Sequence, residues 1–312
     1  AVILLAMGGP NSPDDVRRYL LSIFSDRSII RLPGGRLGQT LLARLISSRR
    51  SAKVRRHYGM IGGDSPLLKW TQTQAANIEQ TLRNDFPGTR CLVGMRYFDP
   101  DISSAIEQAL SEGYRRLCFL PMYPQYSRVT TGSAFTVVHD TLGRHSNATK
   151  LLVDDFYDHP GYVQLLKEYI DANIGPNDTL LFTAHSLPKT FVDEGDPYVD
   201  QTKRTASLAA GERPFHLSFQ SRSGPMEWVG PETVSEVGRL LREFDNDLFI
   251  VPISFVCDHI ETLYEIDIEL KQLIPESDRS RIKRMPMFND DQRFGSVLAD
   301  IVRQKVGASV SS

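Results

Sequence analysis

The sequence predicts an α/β protein built as two doubly wound domains, each around a parallel sheet, with a cleft between them. Three observations predict it. Short apolar runs of strand length alternate with helix-length amphipathic segments along the chain, which is the pattern of repeated βα units. The same rhythm occurs twice. Leu92–Met95 leads through a helix to Cys118–Pro121, then a polar-aromatic loop and another helix; Leu217–Phe219 leads through a helix to Phe249–Pro252, then a loop and the helix after Asp258. Finally, 312 residues suffice for two domains of ordinary size.

In chain order, Val2–Ala6 is an unbroken apolar run and reads as the first strand, followed by an amphipathic helix at Asp14–Phe24. A helix at Thr71–Leu82 precedes the strand Cys91–Met95, and a helix at Ile102–Glu112 precedes the strand Leu117–Pro121. Leu151–Val153 opens the second half, with a helix at Tyr162–Ile170 and a strand at Leu180–Ala184. The strand Phe215–Phe219, the helix Glu232–Glu243 and the strand Leu248–Pro252 follow; Ile260–Gln272 (helix), Ile282–Met285 (strand) and Phe294–Val306 (helix) end the chain. The joint is predicted near Asn147–Lys150, giving residues 1–150 to the first domain and 151–288 to the second. Ligands of such folds bind beyond the carboxyl ends of the strands. The polar residues that directly follow strands therefore carry most weight: Met7–Pro10, Arg96–Phe98, Tyr123–Ser127, His185–Ser186, Gln220–Arg222 and Phe255–Asp258. All are expected to rim one cleft.

The run from Asp258 to Glu269 places Glu261, Glu265 and Glu269 four residues apart, on one face of a helix. Like charges so placed repel, and a cation or a mobile proton relieves the crowding. The plainer alternative is a capped, solvated helix with Asp258 as N-cap and Glu261 at the third helical position. His185, at a strand's carboxyl end, is placed to accept a proton or ligate a metal. Ser186 lacks the glycine flanks of a nucleophile elbow, and Met7-Gly8-Gly9-Pro10 lacks the third glycine of a dinucleotide site. No His-Glu-x-x-His or Cys-x-x-Cys pair is present, so the pattern points to a metal bound sparingly and transiently. Aromatic and methionine side chains cluster after strands, including Met7, Tyr97, Phe98, Tyr123, Tyr126, Met226, Trp228 and Phe255, and fit the walls of a pocket for a large flat apolar ligand. Arg50, Tyr58 and Ser65 add donors suited to peripheral carboxylates; the plainer reading of Arg49-Arg50 is a solvated basic turn.

A net charge of −2 excludes the basic excess of a nucleic-acid protein and leaves small molecules as partners. Three cysteines without close pairing imply a reducing compartment, so a cytoplasmic location is expected. No apolar run reaches the length of a membrane span. Peripheral contact with an inner membrane is expected at the apolar segment near Ile29–Pro33 and its helical flank. The chain opens on a strand without Met, which leaves a removed targeting segment open. Oligomeric state is not legible.

Seven motifs converge in order along nearly the whole chain. They are Met7-Gly8-Gly9-Pro10, Ile61-Gly62-Gly63-Asp64-Ser65-Pro66-Leu67, Tyr123-Pro124-Gln125-Tyr126-Ser127, Ala184-His185-Ser186-Leu187-Pro188, Asp193-Glu194-Gly195-Asp196-Pro197-Tyr198, Gln220-Ser221-Arg222-Ser223-Gly224-Pro225-Met226 and Asp258-His259-Ile260-Glu261-Thr262-Leu263. Together they resemble the ferrochelatases, the terminal enzymes of haem synthesis. The resemblance implies a chelatase-like pair of Rossmann-like domains, with the C-terminal helix, residues 289–312, returning to the first. It implies insertion of Fe²⁺, a substrate, into protoporphyrin with release of two protons. His185 and Glu261 match the family's metal-site pair and would share metal binding and proton acceptance. Asp258, His259 and Glu265 would support them, with Glu269 extending the carboxylate row. Arg50, Tyr58 and Ser65 match positions that hold propionates, and Met7, Arg96, Tyr97 and Phe255 match positions near the macrocycle.

Two departures refine this expectation. Arg128 stands where some members carry a cluster-binding cysteine, and the cysteine-rich tail is absent, so no iron–sulfur cluster and no tightly bound cofactor are expected. Met7 stands where coproporphyrin-using relatives carry tyrosine, which favours protoporphyrin. The competing readings are a coproporphyrin ferrochelatase, a chelatase for another metal such as cobalt, and a tetrapyrrole carrier without catalysis.

Overall fold

The structure is a computed structural model describing residues 1–27, 29, 30, 32–145 and 147–308. Its described residues form two four-stranded parallel sheets with flanking helices, in two compact units. One unit holds Ala1–Met122, Arg128–Asp154 and the segment from Asn289; the other holds Tyr123–Ser127 and Asp155–Phe288.

The first unit begins with β1 (Val2–Ala6), every residue of which is buried, as expected of a strand covered on both faces. Helix α1 (Val16–Ser25) buries Val16, Leu20 and Phe24 at one side chain per turn. Next comes α2 (Gly35–Gly59), a long helix that the hydrophobic pattern does not announce. It buries only Gln39, Ala43, Ser47 and Tyr58, so its buried face lacks an apolar stripe, and its charged residues are all basic. Gln39 replaces that stripe with hydrogen bonds: its amide donates to the carbonyls of Phe24 (2.6 Å) and Ile30 (2.9 Å) and accepts from Leu32 N–H (2.9 Å). Arg49 and Arg50 therefore lie inside a helix rather than in a turn. Helix α3 (Leu67–Leu82), β2 (Cys91–Met95), α4 (Ile102–Ser111), β3 (Arg116–Pro121), α5 (Ser133–Leu142) and β4 (Thr149–Leu152) complete the βα succession. The strand order is β2-β1-β3-β4. Ile3, Leu5 and Phe119 meet Ile102, Ile106 and Val138 in its core.

Pairing of β4 with β3 keeps Leu151 and Leu152 in the first unit, so the division falls after Asp154 and not at residue 150. The loop Tyr123–Ser127 groups with the second unit, where Gln125 donates to the Ile253 carbonyl (3.0 Å) and Ser127 to Asp196 (2.9 Å).

The second unit contains α6 (Pro160–Asn173), β5 (Thr179–His185), α7 (Lys189–Asp193), α8 (Tyr198–Ala210), β6 (Phe215–Gln220), α9 (Thr233–Glu243), β7 (Leu248–Pro252), α10 (Ile260–Leu263), α11 (Lys271–Leu273) and β8 (Ile282–Arg284). Its order, β6-β5-β7-β8, repeats that of the first unit. In each sheet the first strand has neighbours on both sides, so successive connections run off in opposite directions. Folds of this kind bind ligands at that point, beyond the carboxyl ends of the strands. In the second unit that point lies between β5 and β7, whose last residues are His185 and Pro252. The final helix, α12 (Gln292–Ala308), lies in the first unit against α3, where Asn77 donates to the Asp290 carbonyl and Arg303 pairs with Asp85. The remainder of the 289–312 segment, residues 309–312, lies outside the described residues, as does Arg31 within Ile29–Pro33.

Candidate active site

Sheet registration delivers His185. It is the last residue of β5, opposite Gln220 of β6, and its N–H donates to the Ser254 hydroxyl just beyond β7 at 2.9 Å. From there the chain runs through Phe255 to Asp258 into α10, whose first turn carries Glu261. The ring nitrogen Nδ1 of His185 lies 2.7 Å from Glu261 Oε2. With 38% of its side chain open, the imidazole remains reachable from solvent.

The helix after Asp258 is not the uniform one expected. His259, not Asp258, is its N-cap, and Thr262 occupies the third position, its hydroxyl accepting from His259 N–H at 3.0 Å. After α10 the backbone widens into a π-helical turn, Glu265–Leu270, in which Glu269 N–H reaches back to the Tyr264 carbonyl (2.7 Å), before closing into α11. Such insertions accompany functional sites. Here it changes the carboxylate row: i,i+4 stacking on an α-helical face does not hold between Glu265 and Glu269. Among the described residues, the hydrogen-bonded cluster runs from His185 through Glu261 to Glu265 and does not include Glu269.

Gln220 and Ser221, at the end of β6, tie the two carboxyls together. Gln220 Nε2 donates to the Glu261 carbonyl (2.8 Å) and to Glu265 Oε2 (3.1 Å), while Ser221 Oγ lies 3.2 Å from Glu261 Oε2 and 2.5 Å from Glu265 Oε2. The sequence marked this loop as strand-end but assigned it no contact with the helix. A further layer holds Asp258, which accepts from Thr262 Oγ1 at 3.0 Å and pairs with Arg284 at 3.1 Å. Arg284 also grips Asp267 through two bonds of 2.9 and 2.8 Å. Neither Arg284, on β8, nor Ser254, just beyond β7, was singled out by sequence, because each meets its partner across segments distant in the chain.

The electrostatics follow from this geometry. Burial raises and the His185 charge lowers the affinity of Glu261 for a proton; with hydrogen bonds from His185 and Ser221 added, the balance holds it well below the carboxylate range. For His185, burial opposes the imidazolium, but the charge and hydrogen bond of Glu261, with Glu265 behind, raise its pKa. Burial and the neighbouring Glu261 charge push Glu265 up to about 7. Burial pulls the His259 pKa down; its ring lies 4.0 Å from Glu261 and edge-on to Phe255 at 4.5 Å. A histidine–carboxylate pair in which each stabilises the other's charge thus stands beside a carboxyl that titrates near neutrality. No group of three or more His, Cys, Asp or Glu side chains converges as a closed metal cage among the described residues.

The other candidates lie in the first unit. Met7 follows β1, and its carbonyl accepts from Tyr97 N–H at 3.0 Å. Gly8 takes φ +88°, and a Cβ on Gly9 would meet the Ser65 side chain at 2.4 Å, so the glycines let Ser65, itself buried, close against this loop near the Tyr58 hydroxyl. Arg96 is not an open cation: it forms an ion pair with Asp26, which also accepts from the Tyr97 hydroxyl at 2.7 Å. Sequence gave no sign of Asp26. The pair borders a cavity of about 560 Å³ lined by Ser22, Arg27, Arg36 and Thr40 among others. Arg50 is exposed on α2, 5.6 Å from the Phe24 ring centroid. Phe98 is core, packed under Arg18 and against Tyr19.

The ferrochelatase family model matches residues 1–306. A ferrochelatase of Geobacter metallireducens is 42% identical, covering 97% of this chain and 98% of the relative, and one of Geotalea daltonii is 39% identical, covering 98% of each. Among solved structures, a SirB chain of Bacillus subtilis with Fe³⁺ covers 100% of this chain and 97% of its own at a TM-score of 0.57 and 12% identity, a likeness of fold alone. With a family model spanning nearly the whole chain and relatives aligned end to end, this chain belongs to the ferrochelatase family and is a metal chelatase.

Proposed function

We propose that this chain inserts Fe²⁺ into protoporphyrin IX, with His185 and Glu261 receiving the metal and accepting the pyrrole protons. The observation that carries the reading is the 2.7 Å contact between His185 Nδ1 and Glu261 Oε2 beyond the carboxyl ends of β5 and β7. Imidazole nitrogen and carboxylate oxygen suit first-row divalent ions. Metal entry releases two N–H protons from the macrocycle, so acceptors must face it. His185 takes one, with Glu261 stabilising the imidazolium formed, and the second goes to the Glu261 and Glu265 carboxyl pair that Ser221 bridges. Glu265, raised to about 7 by burial and the Glu261 charge, is linked to Glu261 through Ser221 and carries a proton away from the pair. Asp258 and His259 hold the start of α10, and Phe255 offers an apolar face beside them.

Met7, at the end of β1, supports the protoporphyrin choice, and Arg50, Tyr58, Ser65, Arg96 and Tyr97 are assigned to the substrate's periphery. Iron is a substrate in this reading, and no resident cofactor is invoked. The test is anaerobic assay of the purified chain with Fe²⁺ and, in parallel, protoporphyrin and coproporphyrin. Metalloporphyrin formation with kcat/KM favouring protoporphyrin is expected; preference for coproporphyrin overturns the substrate assignment, and formation from neither leaves only a carrier.

A cytoplasmic setting is supported by Cys91, Cys118 and Cys257, all free and buried. No described helix is long and apolar enough to cross a membrane. Peripheral attachment is supported by Leu37, Leu41 and Leu45, exposed at four-residue spacing on α2, whose charged residues are all basic. The chain is expected to co-sediment with anionic vesicles and Leu41→Asp to weaken this; no pelleting of the parent contradicts attachment.

A further inference from the structure

We infer that Ser221 is a positioning residue of this site, its hydroxyl fixing the aim of the Glu261 and Glu265 carboxyl groups from a backbone conformation that serine adopts only under constraint. This rests on the assignment of His185 and Glu261 to metal insertion. Ser221 has φ +66°, in the left-handed region that glycine occupies freely and most other residues avoid. Such strain persists where surrounding structure over-determines it. Here both flanks are pinned: Ser186 N–H donates to the Gln220 carbonyl at 2.8 Å, Arg222 to the Val229 carbonyl at 3.0 Å, and Val229 N–H to the Leu187 carbonyl at 2.9 Å.

The consequence of the turn is where Oγ points. It lies within hydrogen-bond reach of both Glu261 Oε2 and Glu265 Oε2, the former being the same oxygen that contacts His185. One hydroxyl, carrying one proton, thus stands between two acidic side chains that would otherwise repel. A residue serving the turn alone would do so better as glycine. The hydroxyl is what glycine lacks.

The full-length chain is compared with Ser221→Gly, Ser221→Ala and, as a site control, Glu261→Gln, reading kcat, KM for protoporphyrin and Tm. Glycine relieves the backbone strain, so Ser221→Gly is expected to melt at or above the parent temperature. Its kcat is expected to fall about 10- to 100-fold, as loss of geometry at reacting groups does, with KM within about twofold of the parent. Ser221→Ala is expected to lose kcat similarly without the gain in Tm. If Glu261→Gln is inert while both Ser221 variants keep parental kcat, the Ser221 inference alone falls. It falls too if Ser221→Gly loses kcat only together with a lowered Tm, since the hydroxyl then holds the fold and not the carboxyl groups. An active Glu261→Gln overturns the site assignment and this inference together.

Discussion

His185→Ala is expected to lower metal-insertion turnover by about 10²- to 10⁴-fold, the usual contribution of a positioned acid–base group, while KM for the porphyrin changes little. The argument is local. His185 ends β5, is anchored through its N–H to Ser254, and its ring meets Glu261, so removing it takes away the proposed metal donor and proton acceptor while leaving the first unit unchanged. The variant should fold, because the imidazole is partly open and the alanine leaves β5 unbroken. Steady-state kinetics with far-ultraviolet dichroism checks both points. Turnover near the parent value in a folded variant removes His185 from the chemistry; a large rise in KM with kcat preserved assigns it to substrate binding instead.

The second large effect is on stability and its pH dependence. Glu265→Gln is expected to stabilise the chain at pH 8 and leave it unchanged near pH 4. Glu265 has its folded pKa raised to about 7, so the native state holds a proton that the unfolded chain has released above its ordinary value. Stability from this group is therefore present below the unfolded pKa and declines as pH rises towards 7. Glutamine keeps the shape and carries no charge, so the decline disappears. The full shift would correspond to about 3 kcal/mol, and partial exposure reduces it to about 1–2 kcal/mol, a few degrees in Tm. Thermal melts of parent and variant at pH 4, 6 and 8 measure it. A variant destabilised at pH 8, or a difference independent of pH, contradicts the buried-carboxyl account.

The parallel sheets were legible because a doubly covered strand needs an unbroken apolar run, and Val2–Ala6 and Leu248–Pro252 are runs of that kind at strand length. The repeated order of the two sheets follows the rhythm visible in the sequence. Helix α2 was hidden because Gln39 and small residues do the packing that an apolar stripe normally signals. The π-turn was hidden for a different reason: Glu261, Glu265 and Glu269 have the spacing of an α-helical face, and nothing in that spacing records the widening after Tyr264. The resemblance named His185 and Glu261, and strand ends located Gln220 and Ser221. What it could not convey was the left-handed backbone of Ser221, the pairing of Asp26 with Arg96, or the reach of Arg284 from β8 to Asp258, all of which depend on contacts across distant segments.

The central claim is that His185 and Glu261 act as one metal-inserting unit. The most direct measurement is single-turnover Fe²⁺ insertion by porphyrin-loaded enzyme, followed by the absorbance change of the macrocycle, in the parent, His185→Ala, Glu261→Gln and the double variant. Groups that act as a unit are strongly non-additive. The double variant should therefore be no more than about threefold slower than the slower single variant, within the non-additivity expected of a shared step. Single variants that retain the parental rate, or a double variant whose loss is the product of the two single losses, would contradict it.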